Sequence, residues 1–158
     1  MKKGLILALI LTFAFSGAAF AAESAQIAVT VTITQSVSVT VNPGSYAFGA
    51  TDAGATLSTA PDTFTATNDG NGAENLVITV ANTTNWIAGS TVGTDQFAMN
   101  VDTGSGWTLI DPATGSSLAA GVVAAGTQDF GLQLLVPSAT TNAGAEQSIA
   151  VTVTASAQ

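Results

Sequence analysis

The fifteen residues 27–41 read IAVTVTITQSVSVTV, and no other stretch of the chain limits the fold so strongly. Ile27, Val29, Val31, Ile33, Val37, Val39 and Val41 share one parity, while Thr and Ser fill most of the other. A period of two places the apolar side chains on one face of an extended chain and the hydroxyls on the opposite face, which is the pattern of a half-buried β-strand. The β-branched residues reinforce it, because their restricted χ1 rotamers suit a pleated strand better than a helix. Gln35 and Ser36 interrupt the apolar parity, and Asn42-Pro43-Gly44 stops the run.

The first six letters, IAVTVT, recur at residues 149–154. Between the two copies the period of two returns, and it predicts strands at 45–49, 62–68, 74–82, 95–101, 106–110, 127–136 and 147–155. Clusters of Gly, Asn, Asp, Pro and Thr separate them, as turns require. Residues 116–126, SSLAAGVVAAG, come nearest to a helical stripe, but their glycines and valines weigh against a helix. About eight short strands predict an all-β fold, an antiparallel Ig-like β-sandwich with Greek-key connections. The expected core is Tyr46, Phe48, Phe64, Leu76, Ile78, Trp86, Phe97, Met99, Trp107, Phe130, Leu132 and Leu134.

The chain starts with a different kind of signal. Lys2 and Lys3 precede an apolar run from Leu5 to Phe15, a Ser16-Gly17 break, and Ala19 and Ala21 flanking Phe20. This is the pattern of a secretory signal peptide cleaved after Ala21, and the run is too short to span a bilayer. The expected organisation is a signal peptide at 1–21 and one domain at 22–158, with a long N-terminal strand at 26–41. The expected destination is outside the cytoplasm: extracellular, cell-surface or periplasmic.

Charge then narrows the function. Lys2 and Lys3 are the only basic residues, there is no His, and ten carboxylates follow the leader: Glu23, Asp52, Asp62, Asp69, Glu74, Asp95, Asp102, Asp111, Asp129 and Glu146. Nucleic acid and anionic membranes both need cations on the protein, so neither is an expected partner. There is no Cys, so packing and strand pairing must supply stability without disulfides.

Four passages, YAFGATDAGAT, FTATNDGNGAENLVITV, DQFAMNV and VPSATTNAGAEQSIAVTVTA, bear a family likeness. Together they resemble bacterial exported Ig-like sandwich proteins, including the camelysin and biofilm matrix-fibre family. In that family a strand ending in Phe-Gly is followed by a Thr-Asn-Gly-Asn type of turn and by a last strand introduced by Pro and Gly. The resemblance implies the sandwich fold and a structural role at the cell surface or in the matrix, and it carries no catalytic residue.

Catalysis is not expected. No His, Lys or Cys follows the leader to activate a nucleophile, and the carboxylates are scattered singly rather than paired for glycoside hydrolysis. No cofactor is expected, with Ca²⁺ as the one candidate: Asp69, Asn71 and Glu74 in NDGNGAEN, with Asn68 and Asn75 nearby, offer hard oxygen ligands on a glycine-rich turn. The same loop also reads as an ordinary Asn/Asp/Gly hairpin turn. Trp86 and Trp107 are candidate stacking platforms for a surface glycan, although the alternation around Trp107 points inward.

The duplicated strand carries the main functional expectation. An unbroken strand over 27–41 would run roughly 50 Å at ~3.3 Å per residue, against a usual length of ~5–6 residues. Either it bends near Gln35 or its first part leaves the domain and adds to a neighbour. Ile27, Val29, Val31, Ile33, Ile149, Val151 and Val153 are the candidates for such exchange. The expected protein is therefore a non-enzymatic secreted structural or adhesive protein, a fibre subunit and homo-polymer built by β-strand addition. The alternative is a secreted carbohydrate-binding module.

Overall fold

A computed structural model describes residues 26–158. The expected leader at 1–21 lies outside the described residues. The chain divides into two units, Met1–Thr32 and Ile33–Gln158. In the first, residues 26–32 belong to no strand, and Ile27, Val29 and Val31 are each at least 86% exposed.

The second unit is all-β among the described residues, with ten strands in two sheets. The strands are β1 (Val39–Asn42), β2 (Thr56–Ser58), β3 (Phe64–Asn68), β4 (Glu74–Val80), β5 (Ile87–Ala88), β6 (Gln96–Asp102), β7 (Thr108–Leu109), β8 (Ser116–Val122), β9 (Thr127–Leu135) and β10 (Val151–Ala157). The larger sheet follows the order β1-β3-β9-β6-β5, with β2 on β9 and β7 on β6. The smaller one is β10-β4-β8. All pairings are antiparallel except β5 with β6.

Strand β9 organises the larger sheet. Its first half pairs with β3, Phe64 opposite Phe130, and its second half pairs with β2 and β6, Leu134 lying opposite both Leu57 and Met99. In β4 the alternation is complete: Glu74, Leu76, Ile78 and Val80 are buried and the residues between them half-buried. Side chains from β3, β4, β6, β8 and β9 form a single hydrophobic cluster, the arrangement of a β-sandwich.

The fold departs from expectation in identifiable places. Of the long strand expected at 26–41, only its last three residues, 39–41, lie in a ladder, in register with Asn68, Thr67 and Ala66 of β3. Residues 45–49 belong to no strand. Residues 116–122, nearest to a helical stripe, form β8, where Gly121 at φ +65° gives its N–H to Asn75 Oδ1 and the register with β4 shifts. Glycine takes this left-handed conformation without the Cβ penalty other residues meet. Tyr46 and Trp107, expected in the core, are 51% and 37% exposed, whereas Ala66, Val80, Val101, Ile110, Leu118 and Val136 are buried.

Candidate functional site

The two copies of IAVTVT have opposite structural fates. In the second, Val151 and Val153 enter β10 opposite Val80 and Ile78, while Ala150 just before them accepts the N–H of Ala81. Ile149, Val151 and Val153 pack half-buried against the core. In the first copy no strand is assigned, and Ile33, immediately after it, is 81% exposed.

The second copy borders a groove of about 1090 Å³. Two stretches assigned to no strand line it, 43–53 and 142–150, together with Val41 of β1 and Val151 and Val153 of β10. Core side chains, among them Phe64, Phe130 and Leu132, reach it from within. Strand β1 ends its sheet beyond β3 and β10 ends the other beyond β4, so each has one edge without a ladder partner among the described residues. The groove thus lies beside two strand edges that have no ladder partner among the described residues, with buried core side chains at its floor. Its volume exceeds the ~300–1,000 Å³ usual for small-molecule pockets.

Aromatic contacts shape one border. Tyr46 meets Phe48 and Phe64 edge-on at 5.1 and 5.9 Å between ring centroids, and Phe64 stacks on Phe130 at 5.3 Å. Edge-to-face pairing of this kind is favoured by the ring quadrupoles. Asp95 fixes the other border. Its carboxylate accepts the Thr140 hydroxyl at 2.8 Å and the Thr141 N–H and hydroxyl at 2.9 and 2.7 Å. These bonds, the Thr141 hydroxyl first, hold its pKa below the ordinary aspartate value. Thr140 Oγ1 in turn accepts the Trp86 indole N–H at 3.2 Å.

The loop after β3 clasps the start of the second unit. Asn71 Oδ1 accepts the Ser36 N–H at 2.8 Å, and its Nδ2 donates to Thr34 O at 3.0 Å. The N–H groups of Asp69 and Asn71 reach Ser38 O and Ser36 O, and Gln35 Nε2 donates to Ala73 O. Glu74 Oε1 accepts the Ser38 N–H at 3.0 Å. At the centre sits Asn68, fully buried, donating to Gly72 O and Val122 O and accepting the Gly70 N–H. Asn68, which the sequence places beside the candidate calcium ligands, is thus the hydrogen-bond hub of the loop, since Asn side chains readily bond the backbone two residues on.

The candidate calcium ligands therefore have distinct settings. Glu74 is fully buried, Asn71 is bound to 34–36, and Asp69 is exposed. No group of three or more His, Cys, Asp or Glu side chains gathers around a common point among the described residues. The candidate sugar platforms also differ from each other: Trp86 lies half-buried beside Phe97, ring centroids 6.4 Å apart, while Trp107 is exposed in the turn before β7. No protein-family model matches the chain, and no curated protein matches it in sequence.

Proposed function

We propose that this chain is an exported, non-enzymatic structural or adhesive protein of the bacterial surface or extracellular matrix. In this reading it folds as an Ig-like Greek-key sandwich and self-associates by β-strand addition. Residues 27–33 of one copy enter the groove of the next and lie along β10, so that the two IAVTVT segments meet between molecules. The observation that carries the reading is the exposure of Ile27, Val29, Val31 and Ile33, 81–87% each, on an alternating segment without a charge. An exposed alternating apolar strand without charges is the kind that pairs with a sheet edge.

The energetics favour a ladder over side-chain docking alone. Burying four aliphatic side chains yields about 6–12 kcal/mol before ordering costs, and association costs about 4–15 kcal/mol. Main-chain hydrogen bonds along the free edge of β10 add affinity and set the register. Repeated head to tail, the contact is heterologous and generates a filament.

Electron microscopy and light scattering of the chain starting at Ala22 test this reading. Filaments that disappear when residues 25–33 are deleted are the expected outcome. A monomer at every protein and salt concentration, or unaltered assembly by the truncated chain, rejects it. The exposed Trp107 supports a second reading, a glycan-binding module, which predicts quenching of tryptophan fluorescence by added polysaccharide and its loss in Trp107→Ala.

A further inference from the structure

Glu74 is fully buried, yet its Oε2 has no hydrogen-bond partner among the described residues. A carboxylate offers about four lone-pair sites, and Glu74 uses one of them, on Oε1, to accept the Ser38 N–H. Charges buried away from water are ordinarily paired with an opposite charge or bound to a metal. The chain has no basic side chain beyond Lys3, so Arg, Lys and His are unavailable to Glu74 throughout residues 26–158.

The surroundings add further oxygens. A Cβ built on Gly70 would stand 2.5 Å from Ser36 O and 3.1 Å from Asn68 Oδ1, with Glu74 Oε1 closer still, and these are its three nearest neighbours. Oxygens from three separate segments thus converge on the open face of one glycine, which only Gly can occupy. Each already takes one N–H: Ser36 O from Asn71, Asn68 Oδ1 from Gly70 and Glu74 Oε1 from Ser38. Each therefore keeps lone pairs for another electrophile. A cation beside these oxygens would offset the partial negative charge they gather around a buried carboxylate.

We propose that Glu74, Asn68 Oδ1 and the Ser36 carbonyl form a binding site for one hard divalent cation, of which Ca²⁺ is the representative. Carboxylate, amide and peptide oxygens are its usual ligands, and it tolerates irregular geometry where Mg²⁺ demands a near-ideal octahedron. Of the residues suggested by sequence, this ligand set keeps Glu74 and the neighbouring Asn68 and leaves out Asp69 and Asn71. With a single carboxylate, the expected dissociation constant lies at the extracellular end of the range, about 10⁻⁴–10⁻³ M. The cation would tie residue 36 to the loop after β3, independently of whether the protein assembles.

Calorimetry and NMR titration of the full mature chain with CaCl₂, in 0.15 M KCl to suppress diffuse binding to the acidic surface, test the site (the salt level follows from a Debye length of ~8 Å). Expected are saturation near one Ca²⁺ per chain, amide shifts centred on Ser36, Ser38, Gly70 and Asn71, and a melting temperature raised by roughly 3–6 °C at 10 mM. Glu74→Gln should weaken uptake at least tenfold, while Asp62→Asn at an exposed position should leave it unchanged. Non-saturating heats, shifts spread over Asp52, Asp62 and Asp111, or the same response to NaCl at equal concentration would overturn the assignment. The wild-type NMR titration decides the matter even if Glu74→Gln does not fold.

Discussion

Asn71 holds Ser36 as a neighbouring strand would: Ser36 donates its N–H to the Asn71 side chain at 2.8 Å and accepts the Asn71 N–H at 3.3 Å. A side-chain amide carries the same donor and acceptor as a peptide group, and Asn71 also donates to Thr34 O. The polypeptide at 34–38 is thus fixed by a loop although no ladder reaches it. Asn71→Ala removes both side-chain bonds at an exposed site. It should cost about 1 kcal/mol and raise amide exchange at Ser36, measured by urea unfolding and hydrogen-exchange NMR.

The core contact between Phe97 and Trp86 supplies a stability prediction. Phe97 is fully buried in β6, and its ring lies 6.4 Å from that of Trp86. Phe97→Ala should destabilise the domain by about 3–5 kcal/mol, as truncation of a buried aromatic does. Trp86 fluorescence should shift to the red as its packing loosens, with Trp107→Phe used as background so that a single indole reports.

Acid should reveal the hub at Asp95. Its folded-state pKa lies below the ordinary value of 3.8 because of bonds from Thr141 and Thr140. The stability it contributes is therefore complete above that value and is lost as pH falls through the lowered one. Asp111 acts in the same direction through the Ala113 and Thr114 N–H groups. NMR titration of the Asp95 carboxyl should place its midpoint below 3.8, and Thr141→Val should move the midpoint upward. No change in Thr141→Val would remove Thr141 as the principal cause.

Charge should govern association. With net charge −8 for the whole chain and no basic residue after Lys3, copies of the protein repel one another across their surfaces. Raising salt from 0.01 to 0.15 M shortens the Debye length from about 30 to about 8 Å, so the scattering onset should move to lower protein concentration. Val29→Asp should abolish assembly while leaving the melting temperature within about 1 °C, because residue 29 is 86% exposed.

Some of this was legible in the chain. FTATN, ENLVITV and QFAMNVD lie in β3, β4 and β6 where period two put them, because alternation reports directly on a sheet with one buried face. β8 was not legible: SSLAAGV is small and glycine-bearing, and its strand state depends on β4 being alongside. β5, two residues long, exists only through its parallel pairing with β6. At the candidate site, the apolar parity of 27–33 and the oxygen-rich loop at 68–74 were readable. The groove was not, since it gathers side chains as far apart as Tyr46, Phe130 and Val153.

The amino-acid order by itself determined that the chain is β-rich and that no side-chain cation after Lys3 is available to a buried carboxylate, because parity and composition are local properties. Only tertiary structure decided what became of the two identical segments. IAVTVT at 149–154 gains β4 as a partner, while at 27–32 it gains no strand, although the intrinsic preference of the six residues is the same. A strand's hydrogen bonds are made to residues distant in sequence, so its pairing is settled by the fold around it and not by its own letters.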